Sequence, residues 1–233
     1  MGNSISDVYI NLNNALDRCN EAFAARNIEP ANTLYEIGDR IELLEVDNTS
    51  KDAIIAAIIS GTVTEIPDEN VSRIDDYVFA GCPSLKSANL PLCSYVGYGA
   101  FHSCTSLTSV NLPACSHVDT MAFYNCTSLT STNLPVCEKV GQQAFERCTS
   151  LTSINLPICS YIDDYAFYYC TALSSITLGC SQVVNLNGNS VFYKTSLNSI
   201  YVPASLVDAY KVAGDWVKYA SNIIAMEVPE NEQ

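Results

Sequence analysis

The chain has 233 residues, 48% of them hydrophobic, with 25 acidic against 11 basic side chains and a formal net charge of −14. That balance argues against a nucleic-acid binder, which needs a basic face, while the apolar fraction suffices for a core of one or two domains. No apolar run approaches the roughly 18 residues of a membrane span, so membrane insertion is not expected. The Asn- and Asp-rich start has no secretory leader pattern, although Met1 to Ser6 fits the short myristoylation motif.

In chain order, the first pattern is a stripe of Ile5, Val8, Leu12, Ala15, Cys19 and Ala22, widened by Leu16 and Phe23. Its spacing predicts an amphipathic helix, and three heptads stand at the lower limit for a coiled coil. Residues 1–30 are therefore expected either to dock on their own domain or to join copies into a homo-oligomer through residues 5–25. The second alternative is favoured because the solenoid inferred below should offer unpaired apolar surface only at its ends, where caps already stand. Pro30 opens an acidic connection, and residues 31–67 end in cap-like patterns. Asp47 to Ser50 can cap a short apolar helix over 52–59 that Gly61 ends. Val63 to Pro67 reads as a first, degenerate rung. Residues 1–72 hold 13 acids against 4 bases, most of the net charge.

From there a 22-residue period governs the chain. Phe79, Phe101, Phe123, Phe145 and Phe167 keep it, as do Leu85 to Leu173 and Leu90 to Leu178, while Cys82 to Cys170 recur every 11 residues. Such a period predicts a solenoid, each unit burying its apolar face only against its neighbours. Within a unit, Val110-Asn111-Leu112-Pro113 reads as a short strand closed by proline. The stretch from Val118 to Cys126 reads as a turn or short helical return. After Leu178 the rhythm slips, Phe192 following Phe167 by 25 residues. Leu197 to Pro203 forms a last strand, and residues 204–233 a helical cap and tail with Trp216 as the largest apolar surface.

The unit [VI]-x-x-x-A-F-x-x-C-[TP]-x-L-x-x-[VIT]-x-L-P resembles the BspA-like leucine-rich repeats, found mainly in surface proteins of anaerobic bacteria and some protists. The match runs from about Ile66 to Pro203, and the repeat domain is set at residues 68–203. The resemblance implies a right-handed leucine-rich-repeat solenoid with short parallel strands and turn or helical returns. It also implies, for some members, adhesion to host or matrix proteins. The second cysteine, in Leu-Pro-x-Cys, departs from the many repeats that carry serine there.

Eleven cysteines could suggest metal or disulfides. Ten of them fall in two columns with no Cys-x-x-Cys pair and no nearby histidine, so they read as buried free thiols. Parallel neighbours would hold their Cβ atoms too far apart for a disulfide. His102 and His117 stand at positions where other units carry Tyr124 and Glu146, or Tyr95, Lys139 and Tyr161. These positions read as exposed surface. Asp75-Asp76 and Asp163-Asp164 offer too few oxygens for calcium. No catalytic, cofactor-binding or metal residues are expected, and no enzyme.

The strand face is monotonous in Ser, Thr and Asn, whereas the turn face varies from unit to unit. Its candidate ligand-binding residues are Tyr95, Tyr98, His102, His117, Met121, Tyr124, Lys139, Gln142, Glu146, Tyr161, Tyr165, Tyr168 and Tyr169. Tyrosine among small polar neighbours gives contact area at low entropic cost. The expected function is non-enzymatic recognition or adhesion towards a protein or glycan. The alternative is a virion-type, prophage tail-associated component, with an N-terminal assembly helix and a receptor-binding solenoid. The resemblance places the protein at a cell surface or on a virion; the missing leader would otherwise leave it cytoplasmic.

Overall fold

The computed structural model describes residues 65–67 and 71–226. The amphipathic stripe of residues 5–25, the helix at 52–59 and the tail from Glu227 lie outside the described residues. Each repeat contributes two short strands to two parallel ladders. The first ladder runs through β1 (Glu65–Pro67), β3 (Ser87–Asn89), β5 (Ser109–Asn111), β7 (Ser131–Asn133), β9 (Ser153–Leu156), β11 (Ser175–Leu178) and β13 (Ser199–Val202). The second comprises β2 (Arg73–Ile74), β4 (Tyr95–Val96), β6 (His117–Val118), β8 (Lys139–Val140), β10 (Tyr161–Asp163) and β12 (Asn185–Asn187). Register advances by one unit at each step, Ser87 facing Ser109 and Tyr95 facing His117, so like residues stack on like. β1 joins in the same register, Ile66 opposite Ala88, as expected for a first rung.

The second ladder was not legible. The sequence predicts a turn or short helical return over Val118 to Cys126; residues 120–125 do form a turn, but Val118 belongs to β6. That strand has two residues, too few to show alternation. The turns are themselves tied from unit to unit. The N–H groups of Met121, Phe123 and Asn125 donate to the carbonyls of Gln142, Ala144 and Glu146 at 2.8–2.9 Å. This geometry needs left-handed backbone at Met121, Gln143 and Tyr165, with φ of 56–58°, and again at Ser103, Asn125, Arg147 and Tyr169, with φ of 58–61°. An L-residue there costs about 1–2 kcal/mol, which the inter-unit hydrogen bonds offset. The variable side chains consequently stand on an ordered backbone.

The core is a set of columns. Phe101, Phe123, Phe145 and Phe167 are fully buried, and their rings stack at 5.1–5.4 Å within 10° of parallel. Phe192 continues the stack across the slipped unit, 5.5 Å from Phe167. Columns of Leu, Ala and Val or Ile surround it.

The ten described cysteines are free, and eight of them are buried. Their thiols donate to carbonyls: Cys126 Sγ to Phe101 at 3.1 Å and Cys115 Sγ to His117 at 3.2 Å. The column thus consists of small apolar side chains that also satisfy a buried acceptor. Burial pushes the Cys93 thiol up to about 11 and those of Cys115, Cys126 and Cys159 up to about 12, suppressing the reactive thiolate. Cys82 and Cys180 are partly exposed, which corrects the expectation that both columns are wholly buried. An alkylating reagent should label these two in the native state, while the eight buried thiols react only on unfolding; modification of the eight at the same rate would contradict the packing.

The first ladder has one break. β1, β3, β5 and β7 form one sheet, β9, β11, β13 and β14 (Ile223–Ala225) another, while the second ladder is a continuous six-stranded sheet. The break falls at Thr132, the polar member of an inward column that otherwise reads Ala88, Val110, Ile154, Ile176 and Ile200. Its Oγ1 is buried and has no hydrogen-bond partner. Thr132→Val removes that orphaned hydroxyl at nearly constant volume. It should stabilise the protein by about 1 kcal/mol and slow amide exchange across β7 and β9. A loss of stability would show that the hydroxyl is satisfied in solution.

The C-terminal cap consists of a 3-10 turn (Ala204–Leu206), helix α1 (Val207–Val212), a longer 3-10 segment (Gly214–Asn222) and β14, which pairs with β13. The final strand was not anticipated. Two side chains fasten the cap onto the backbone of one residue of the irregular rung, Val184. The Val184 N–H donates to the Tyr210 hydroxyl at 3.0 Å, and Trp216 Nε1 donates to the Val184 carbonyl at 2.8 Å.

Candidate binding surface

The candidate residues separate into distinct groups. Tyr95, His117, Lys139 and Tyr161 occupy one outward position of successive strands in the second ladder, extended by Arg73 on β2. Tyr95 is enclosed: the Arg73 guanidinium lies 4.1 Å from its ring centroid, and the His117 ring lies nearly parallel at 5.5 Å. Its hydroxyl donates to Asp119 Oδ2 at 2.5 Å. Burial, then the bond to Asp119, pushes the Tyr95 pKa up to about 12, so it remains a donor. Burial also lowers the His117 pKa, with Asp119 opposing and Lys139 assisting, which favours the neutral imidazole. Lys139 Nζ stands 5.3 Å from the Tyr161 ring centroid. With both faces of Tyr95 covered, its ring offers no flat platform for stacking on a sugar.

A second column follows the turns. His102 and Tyr124 stack at 4.9 Å. Glu146, the next member, departs from its expected exposure: it is 6% exposed and accepts a hydrogen bond from Gln143 Nε2 at 2.8 Å. Arg147 lies 3.6 Å from its other oxygen. The Tyr98 hydroxyl donates to Met121 Sδ at 3.4 Å, while Gln142 is exposed. The paired acids hold turns: Asp163 Oδ1 accepts from Asn187, and Asp164 Oδ1 from the N–H groups of Tyr165 and Ser190. Among the described residues, no group of three or more His, Cys, Asp or Glu could hold a metal ion. No described helix is long and apolar enough to cross a membrane.

The densest group is a tyrosine cluster near the C-terminal end. Tyr168 contacts Tyr165 edge-on at 5.2 Å, Tyr169 at 4.7 Å and Tyr193 in a stack at 5.3 Å. Tyr169 is 37% and Tyr193 50% exposed. Arg147 stands 5.9 Å from the Tyr169 centroid and Lys194 5.6 Å from that of Tyr193. Sequence reasoning missed Tyr193 because the last unit is longer. The signal was present: Tyr193 follows Tyr168 by the same 25 residues that separate Phe192 from Phe167.

The model of the BspA type leucine rich repeat region matches the chain in six copies, over residues 57–159 and 94–213. The chain belongs to this family. Among solved structures, this BspA-type chain is similar to a leucine-rich repeat protein from Bacteroides ovatus, with 27% identity, a TM-score of 0.54, and coverage of 70% of this chain and 42% of that one. It also shares its fold with a leucine-rich cell surface protein from Faecalibacterium prausnitzii, at 23% identity and a TM-score of 0.51, covering 69% of this chain and 46% of that one. The BspA-type chain thus spans less than half the length of either. None of the curated proteins compared with it matches.

Proposed function

We propose that this BspA-type solenoid is a non-enzymatic recognition module, displayed at a cell surface, that binds a protein ligand through its tyrosine cluster. The observation that carries this reading is the pair of exposed rings, Tyr169 and Tyr193, each beside a cation and backed by Tyr168. Rigid aromatics flanked by basic groups are the side chains that dominate protein–protein hot spots. The strand face is a weaker candidate because much of its polar capacity is used within the protein. Asn133 donates to Asn111, Asn111 to Asn89, and Thr130 to the Thr108 carbonyl. The enclosed Tyr95 also makes protein a better ligand than glycan.

The test is binding of the full chain to an immobilised panel of extracellular-matrix proteins and to a glycan array. Wild-type protein should bind a protein on the panel, and Tyr169→Ala/Tyr193→Ala should weaken that binding by roughly tenfold or more with its circular dichroism unchanged. Binding to glycans alone, or undiminished binding by the double variant, would remove the reading.

A further inference from the structure

Each Leu-Pro-x-Cys corner, where a unit passes from the first ladder to the second, carries an apolar residue at x: Leu92, Ala114, Val136 and Ile158. The constant register places these one above another. Leu92 is 58%, Val136 37% and Ile158 44% exposed, with Ala114 half-buried among them. The result is an apolar stripe along the solenoid axis, unlike the Ser, Thr and Asn of the neighbouring strand face.

The spacing of this stripe selects its occupant. Successive units stand about 4.8 Å apart where their strands pair, and their phenylalanine rings stack at 5.1–5.4 Å. One α-helical turn rises about 5.4 Å. A helix lying along the solenoid therefore presents one residue of a three- and four-spaced stripe to each rung and stays in phase. An extended strand does not, because its same-face side chains fall about 6.6 Å apart.

The chain carries such a stripe itself, in Ile5, Val8, Leu12, Ala15, Cys19 and Ala22. As a helix, Ile5 to Ala15 would span about 15 Å, the length of three steps from Leu92 to Ile158. The 42 residues from 23 to 64 can reach any point of the corner, at up to ~3.3 Å each. A lone helix of this length is marginal in water and needs a surface. The expectation that it meets a copy from another chain rested on the solenoid having no unpaired apolar surface except at its ends. The exposed corner removes that premise.

We propose that residues 5–22 dock as an amphipathic helix along Leu92, Ala114, Val136 and Ile158 of their own chain. Leu92 lies three residues before Tyr95, so the corner borders the column of Arg73, Tyr95, His117 and Lys139. The inference does not depend on which ligand the tyrosine cluster binds.

Hydrogen exchange read by mass spectrometry on the full chain tests it, alongside sedimentation. In wild-type protein the amides of residues 5–22 should exchange roughly tenfold or more slowly than in Leu92→Gln/Val136→Gln/Ile158→Gln. The protection should be independent of protein concentration, in a monomer. Leu12→Gln should abolish it equally without touching the solenoid, whose circular dichroism provides the control for folding. Protection that fades on dilution of a dimer would overturn the proposal in favour of pairing between chains. Protection that survives the triple substitution would place the segment elsewhere, and unprotected wild-type amides would show that it does not dock.

Discussion

Phe123→Ala should cost about 3–5 kcal/mol in a denaturant titration, the range for truncating a buried aromatic without collapse of the site. Phe123 is fully buried, and its ring is stacked on both faces, 5.1 Å from Phe101 and 5.2 Å from Phe145. A gap in the middle of the column interrupts contact between the units above and below, and in a solenoid stability resides largely in such neighbour contacts. Tyr124, the next residue, points outward. It is half-buried and stacks on His102, so Tyr124→Ala should cost about 1 kcal/mol. Comparable losses at the two positions would show that the inward and outward assignments are wrong.

Trp216→Ala should be nearly as damaging, at about 3–5 kcal/mol, with the loss concentrated at the C-terminal end. Trp216 packs against Tyr210 at 5.1 Å and Phe192 at 5.9 Å, and its indole N–H satisfies the Val184 carbonyl. Trp216→Phe keeps most of the packing and loses the hydrogen bond, which should cost about 1 kcal/mol or somewhat more. Amide exchange should accelerate in β12, β13 and β14 and remain unchanged in β3 to β6. Uniform acceleration along the chain would mean that the solenoid unfolds as a single cooperative unit, and the cap would then have no separate role.

What was legible in the sequence is what repeats. The phenylalanine, leucine and cysteine columns are visible because one side chain recurs at one spacing, and spacing sets contact in a stacked array. Features that depend on departures from the repeat were hidden. Two-residue strands such as His117–Val118 are too short for an alternation pattern. Tyr193 joins Tyr168 only through the longer final unit. Glu146 is buried because of the neighbours it meets, although the same register holds His102 and Tyr124, which are partly exposed. The apolar corner was overlooked because Leu92, Ala114, Val136 and Ile158 vary in identity and share only their character. β14 is a three-residue strand whose pairing with β13 no local pattern announces.

The constant register has a consequence for how such a molecule can change over generations. A duplicated 22-residue unit placed between Val118 and Val140 would meet Phe, Leu and Cys above and below, as existing units do. Gene segments of this length can therefore be gained or lost without a new core having to be invented. The 25-residue step from Phe167 to Phe192 is different, because it adjoins the rung that Tyr210 and Trp216 hold. Lengthening the array would move the amino-terminal end away while Tyr168, Tyr169 and Tyr193 kept their distance from the cap. Reach and the tyrosine patch can in this way diverge independently, one by unit number and the other by point substitution.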